Sequence, residues 1–340
     1  MRQAVMIEPG KIAMGEAEEP VAGPGQVRIR IQRIGVCGSD IHVFHGEHPF
    51  VTYPLIQGHE YAGVVDELGE GVTGIKLGDK VTATPQEVCG RCPPCERGQY
   101  NACEELKVRG FQAPGCAQDF FVTEADKIIM LPDDFQPEQG AFVEPVAVAA
   151  HSTGRAGDLA GKNVVVSGAG TIGNFVAQAC KCRGAAKVLI ADVSDYRLEV
   201  ANAVGVDATC NVTKEPLADA ALRVFGERGF EVGAEVAGVE ASLDALVAGI
   251  GKGGTLLIVG VFGDRPAVDM SVVCEHELTV KGSMMYRHED FEQAVKWIAS
   301  GEVQTDPLVS KHFAFEDFDK AYAFIDDEGD KAMKVMIDFE

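Results

Sequence analysis

Between Val164 and Gly173 the chain runs from an unbroken apolar triplet, Val164-Val165-Val166, through Gly168-Ala169-Gly170-Thr171-Ile172-Gly173 into a helical pattern that lasts to about 183. A strand that is apolar at consecutive positions is buried on both faces, which a sheet achieves when helices cover each side. In a G-x-G-x-x-G at such a strand-to-helix turn, the first glycine permits the tight turn and the second admits close approach of a pyrophosphate. The third lets helix and strand pack together. Free N–H groups and the dipole at the helix N-terminus favour the phosphates. Asp192 ends the next strand about twenty positions on, where a carboxylate accepts ribose hydroxyls and repels the extra phosphate of NADP. Arg197, five residues later, is placed to clamp a phosphate, but with Asp192 present it reads as stacking on or flanking the adenine. The fingerprint therefore predicts NAD held by Gly168, Gly170, Ile172, Gly173, Asp192 and Arg197.

Further apolar strands at 187–191, 232–236, 255–261 and 278–280 alternate with helical patterns such as 197–204. The fold class is accordingly α/β, with residues 151–284 forming a doubly wound parallel sheet. Residues 1–150 read instead as β-rich: short alternating runs such as Gln26-Val27-Arg28-Ile29-Arg30-Ile31 are punctuated by Gly and Pro, with no long amphipathic helix before 137–151. The tail, 285–340, carries a helix at 291–299, a short strand, a helix at 315–325 and a strand at 334–337. It lacks a glycine fingerprint and is expected to return to the first domain. A chain of 340 residues is long enough to bury two cores. The formal charge of -22, relieved by no Lys/Arg cluster, excludes a nucleic-acid partner. No apolar run approaches bilayer length, and Met1-Arg2-Gln3-Ala4-Val5 enters a strand pattern without a signal peptide's features. A soluble cytoplasmic protein with no membrane partner is the expectation.

Four of the ten cysteines fall within fifteen residues, as Cys89-x2-Cys92-x2-Cys95-x7-Cys103 in a lobe at about 86–106. Four thiolates at such spacing can close a tetrahedron about zinc with no open position, the mark of a structural site. An iron–sulfur cluster is the competing ligand. Redox pairs would want a Cys-x-x-Cys opening a helix, which Pro93-Pro94 argues against. Cys116, Cys180, Cys182, Cys210 and Cys274 are scattered and read as small buried hydrophobes or surface thiols.

A second metal site is suggested by Gly35-Val36-Cys37-Gly38-Ser39-Asp40-Ile41-His42 together with Gly58-His59-Glu60. Cys37 and His59 make a thiolate and imidazole pair for a zinc that keeps one position open. Gly58-His59-Glu60-x2-Gly63-x5-Gly69-x2-Val72 resembles the signature of the zinc-containing medium-chain alcohol dehydrogenases. Cys37, the cysteine lobe and the dinucleotide fingerprint follow in that family's order, over essentially the whole chain. Within it, Cys37 to His42 and Phe142-Val143-Glu144-Pro145 are most similar to the sorbitol (L-iditol) and sugar-acid 5-dehydrogenase branch.

The resemblance implies a GroES-like catalytic domain followed by a Rossmann domain, two zincs per chain, and NAD. It implies that Cys37 and His59 hold the catalytic zinc, that Ser39 takes the proton of the substrate hydroxyl, and that His42 passes it to solvent through the cofactor ribose. Asp40 orients His59, and Glu60 ligates the zinc or stands just behind it. Glu144 occupies the position where simple alcohol dehydrogenases place a second thiolate. A carboxylate there hardens the site and suits polyhydroxylated substrates, by contact with the zinc or through water. A buried acid capping the helix before Pro145 is the plain alternative. Arg287, after Tyr286, reaches substrate hydroxyls or pairs with a carboxylate. His45 and His48 read as loop or cleft-lining residues. The implied activity is reversible oxidation of a secondary hydroxyl of a polyol or sugar acid by a homodimer or homotetramer. Cyclitol, diol and L-threonine dehydrogenases share the motifs. A non-catalytic NAD-binding protein on this scaffold would be expected to lose the metal ligands that this chain keeps.

Overall fold

The computed structural model describes residues 1–339. The chain divides into two compact units. One comprises Met1–Glu144, Arg287–Ala299 and the residues from Val309 onward; the other comprises Pro145–Tyr286 and Ser300–Leu308. The first boundary thus falls inside the helix Val143–Ala156 rather than at 150. The tail does not return whole from 285, because Ser300–Leu308 belongs to the second unit.

The first unit is organised on Gln26–Val36, the central strand of a seven-stranded sheet. It pairs antiparallel with Glu60–Leu68, Phe120–Glu124 and Lys334–Asp338. Val27, Ile29 and Ile31 alternate inward, as the period of two requires. The register against the Glu60–Leu68 strand then slips between Ile31 and Arg33. That bulge shifts the phase, so Ile34 rather than Arg33 enters the core. The core joins both ends of the chain, with Ala4, Met6 and Val27 in one cluster with Phe315, Phe318, Tyr322, Val335 and Ile337.

In the second unit six parallel strands lie in the order Ala208–Asn211, Lys187–Asp192, Asn163–Ser167, Val232–Glu235, Thr255–Ile258, Thr279–Gly282. Numbered along the chain this is 3-2-1-4-5-6, the doubly wound dinucleotide-binding arrangement. Val164, Val165 and Val166 are fully buried in the central strand. The edge strand Ala208–Asn211 was not anticipated by its sequence: it lacks an apolar run because it is covered on fewer sides. Among the described residues no helix is long and apolar enough to cross a membrane.

Candidate active site and metal centres

Where the strand Gln26–Val36 ends, Cys37 caps the helix Gly38–Phe44 from an extended conformation (φ -86°, ψ 151°). Its N–H donates to Asp40 Oδ2 at 3.0 Å, which fixes the Asp40 carboxylate one turn into the helix. Asp40 Oδ1 then lies 3.6 Å from His59 Nδ1, with both side chains buried. Gly58 makes this approach feasible. Its φ of +90° suits glycine, and a Cβ there would meet Cys116 Sγ at 2.9 Å. Glu60 opens the next strand directly opposite Gly35, where a Cβ would run into the Glu60 carboxylate. As a result, ligand atoms of Cys37, His59 and Glu60 all fall within 4.8 Å of one another.

This cluster fits zinc by its chemistry. Asp40 Oδ1 and His59 Nδ1 are buried and have no hydrogen-bond partner within normal distance. Burial pushes the Asp40 carboxyl up. Burial also opposes a charge on His59, but Asp40, Cys37 and Glu144 outweigh it and hold that imidazole well above its usual pKa. The site therefore gathers acidic groups around a point that calls for positive charge. A dication bound by thiolate, imidazole and carboxylate meets the demand. Asp40 facing Nδ1 leaves Nε2 as the nitrogen for the metal, the carboxylate–histidine arrangement that fixes a ligand's tautomer.

Two residues that the sequence reading missed complete the surroundings. The ammonium of Lys334 is buried against Glu60, with Nζ at 2.8 Å from Oε1 and 2.5 Å from Oε2, and donates to Val36 O at 3.0 Å. Burial lowers the Lys334 pKa, but Glu60, Cys37 and Glu144 reverse the effect and raise it. The Tyr322 hydroxyl donates to Gln57 Oε1 at 2.9 Å, and Gln57 Nε2 donates to Asp40 O at 3.2 Å. Both Lys334 and Tyr322 come from the far C-terminal segment.

Glu144 is buried and acts electrostatically on His59 and Lys334, but it lies outside the tight donor set that contains Glu60. Ser39 precedes Asp40 on the same helix, partly exposed. His42 reaches the surface, where Nδ1 lies 3.1 Å from Glu47 Oε2. His45 Nε2 lies 3.1 Å from the Asp326 carboxylate. Phe111 was also missed: its ring centroid lies 5.0 Å from that of His59 and 5.1 Å from that of His48, on which it stacks. His48 thus sits two rings from His59.

In the cysteine lobe, one sulfur from each of Cys89, Cys92, Cys95 and Cys103 falls within 4.8 Å of the others. Cys103 Sγ accepts the N–H groups of Cys89 and Glu105, both at 3.3 Å. The Glu104 N–H, with neighbouring groups, holds Cys92 down to about 7, while burial pushes Cys95 up to about 12. Four such thiols ionise together only around a cation. Cys92 in fact caps a short helix, Pro93–Glu96. The expectation that Pro93-Pro94 would keep a helix from starting there is therefore corrected: proline suits the first helical position, which needs no N–H.

At the glycine turn, Gly168 has φ +106° and a Cβ there would meet Ala237 N at 2.7 Å. A Cβ on Gly173 would run into the Gly168 carbonyl oxygen, whereas the space over Gly170 is open. The tight turn at Gly168 and the close packing at Gly173 thus require glycine, and the backbone at Gly170 is left uncovered. Asp192 Oδ2 accepts the Ala169 N–H at 2.6 Å and Oδ1 the Ser194 N–H at 2.9 Å. Arg197 stands in the first turn of the following helix, Asp195–Ala203, capped by Ser194.

Residues 23–133 match the family described as alcohol dehydrogenase GroES-like domain, and residues 171–300 match zinc-binding dehydrogenase. A 2-dehydro-3-deoxy-L-galactonate 5-dehydrogenase from Pseudoalteromonas atlantica is 34% identical over 328 residues, covering 96% of this chain and 95% of the relative. The chain belongs to the zinc-binding alcohol dehydrogenase family. An L-threonine 3-dehydrogenase from Shewanella baltica is similar to this dehydrogenase at 33% identity, covering 90% of this chain and 91% of the relative. A solved structure from E. coli CFT073, described as a short chain alcohol dehydrogenase complexed with NADH, superposes with a TM-score of 0.93 at 27% identity. It covers 100% of this chain and 99% of that one. This dehydrogenase is accordingly an enzyme of CH–OH groups with a GroES-like unit and a Rossmann unit. Zinc and a nicotinamide dinucleotide are its cofactors, and both donor clusters fit the metal.

Proposed function

We propose that this dehydrogenase reversibly oxidises a secondary hydroxyl of a polyol or sugar acid to the ketone, with NAD. The observation that carries the reading is the Cys37–His59–Glu60 donor set with Asp40 and Glu144 buried around it. It is a carboxylate-rich site of the harder kind that suits hydroxylated, hydrated substrates. When bound there, zinc supplies Lewis acidity toward a hydroxyl, and NAD accepts a hydride. The chain's own residues do the rest. Cys37 and His59 are donors, with Glu60 or Glu144 as the carboxylate beside them. Asp40 orients His59. Ser39 takes the hydroxyl proton, and His42, exposed beside Glu47, releases it to solvent. Asp192 favours NAD: two backbone N–H groups hold its carboxylate in place, and its remaining lone pairs serve ribose hydroxyls.

The Pseudoalteromonas relative, a sugar-acid 5-dehydrogenase by name, supports this substrate class. The Shewanella relatives favour a second reading, L-threonine oxidation. A panel of polyols, aldonates, cyclitols, diols and L-threonine with NAD and NADP, followed by absorbance of the reduced cofactor, decides between them. Turnover of L-threonine alone replaces the proposal. No turnover, with one zinc per chain, makes the protein a binding module. We further place the enzyme in the cytoplasm, since clustered cysteines that serve as metal donors rather than disulfide partners suit a reducing compartment. It works as a homodimer or homotetramer. The edge strand Thr279–Gly282, with Val280 half exposed, is a surface for such pairing, and light scattering tests it.

A further inference from the structure

Asn174 stands in the first turn of the helix Thr171–Cys182, followed by Phe175, Val176 and Ala177, and like them it is fully buried. An amide withdrawn from water needs partners for its donors and its acceptor. Here only the donors are met, and both by the glycine turn. Nδ2 donates to Ala169 O at 2.6 Å and to Gly170 O at 3.2 Å. Oδ1 is buried with no hydrogen-bond partner among the described residues. Leucine would serve packing and helix formation better, since asparagine is the weaker helix former and leaves a buried oxygen unpaired.

What the amide does is fix peptide planes. A trans peptide directs its C=O and its N–H to opposite sides. Asn174 draws the Ala169 carbonyl into the interior, so the N–H of Gly170 is turned away from it, and the space over Gly170 is open. The preceding peptide is held by its other end, because Asp192 Oδ2 accepts the Ala169 N–H at 2.6 Å. Two buried side chains thus grip consecutive peptides of the turn, Asp192 by an N–H and Asn174 by a C=O. The Gly170 carbonyl is gripped twice, since it also accepts the Asn174 backbone N–H at 2.9 Å. Backbone N–H groups at such a turn are what the diphosphate of a dinucleotide binds.

We propose that Asn174 is a positioning residue for the cofactor: by holding the Ala169 and Gly170 carbonyls inward, it presets the Gly170 N–H for the dinucleotide's diphosphate. Without that hold the peptide between Ala169 and Gly170 is free to turn, and binding has to order it at a cost in affinity. The unpaired Oδ1 is a burden on the empty fold, and the preset turn is what offsets it when cofactor binds.

Asn174→Leu and Asn174→Ala in the zinc-loaded enzyme test this, with NADH, ADP and adenosine as probes. Leucine fills the space without a donor, whereas alanine removes the donor and leaves space. Both variants are expected to raise Kd for NADH and for ADP by about ten-fold, the effect of one hydrogen bond to a charged group. Adenosine carries no phosphate and is expected to bind each variant as it binds the wild type. The cofactor-free Asn174→Leu enzyme is expected to melt with the wild type, because the unpaired oxygen leaves together with the donor. An unchanged Kd for ADP, or an equal loss for adenosine, would overturn the proposal. So would a loss that alanine causes and leucine restores, which marks a packing effect. Failure of both variants to fold, or cofactor-free melting of Asn174→Leu more than about 5 °C below wild type, would make Asn174 a residue of the fold alone and overturn it equally.

Discussion

Lys334→Met removes the ammonium from Glu60 and keeps most of the aliphatic stem. The two side chains are 3% and 2% exposed, so the pair is not a surface ion pair of about 0–1 kcal/mol. Glu60 would remain as a buried carboxylate, close enough to Asp40 to push that carboxyl up. Breaking a buried pair from one side costs roughly 3–5 kcal/mol. At about 2–4 °C per kcal/mol for a unit of this size, melting of the first unit should fall by about 6–20 °C. Scanning calorimetry of the zinc-loaded protein measures this, and the transition of the second unit should stay in place. Lys334→Met combined with Glu60→Gln should recover most of the loss, because the amide leaves no charge unpaired. Melting of the single variant within about 1 °C of wild type would refute the reasoning, as would a double variant no better than the single.

Asp40→Asn should weaken zinc at the Cys37–His59 cluster by about 10–100-fold in a chelator competition, with the cysteine lobe keeping its metal. Equal loss from both sites, or from neither, removes Asp40 from its role. Gly173→Ala drives a Cβ into the Gly168 carbonyl oxygen, and NADH affinity by fluorescence titration should drop by about ten-fold or more; an unchanged Kd contradicts the packing argument. Glu124 gives a pH dependence. Burial pushes its carboxyl up, but Lys127 at 3.0 Å and Arg109 at 3.1 Å prevail and hold it at about 2. Its folded pKa thus lies below the unfolded value of about 4.3, so its contribution is present above that pH and drains away on acidification toward 2. With the side chain 41% exposed, the contribution is below about 1 kcal/mol. Glu124→Gln should therefore melt slightly lower than wild type at pH 7 and level with it near pH 2; a gap that widened in acid would reverse the sign.

What was legible in the sequence was local. Cys37 and Asp40 sit at one helix start and His59 and Glu60 at one strand start, and the glycine turn is a single continuous segment; spacing suggested Cys37, His59 and the glycines, while Asp40 and Glu60 came from the family resemblance. The central strands announced themselves by unbroken apolar runs such as Val164-Val165-Val166 and Val188-Leu189-Ile190. Ala208–Asn211 did not, since an edge position demands less burial. Lys334 and Tyr322 were invisible for another reason: they meet Glu60 and Gln57 across 274 and 265 residues. Lys334 did leave a trace. It stands among Met333, Val335, Met336 and Ile337, and a cation inside an otherwise apolar strand implies a buried partner. The resemblance put Glu144 at the position of a second thiolate, and it does act electrostatically on His59. Its standing outside the tight donor set depends on where the helix Val143–Ala156 begins in space, which no spacing encodes.

Because Lys334–Asp338 lies against Gln26–Val36, synthesis of the chain imposes an order of assembly. The six-stranded sheet of Pro145–Tyr286 has all its strands once 282 has been translated. Residues 1–144 emerge first and yet must wait, their sheet short of its last two strands and Glu60 without its cation. Domains usually fold in the sequence in which they leave the ribosome. Here the later unit can finish first, and the metal site closes only when Lys334 arrives beside Glu60. A product truncated before 334 would carry a complete cofactor fold and an unfinished catalytic one, its central strand bare along the edge that Lys334–Asp338 covers.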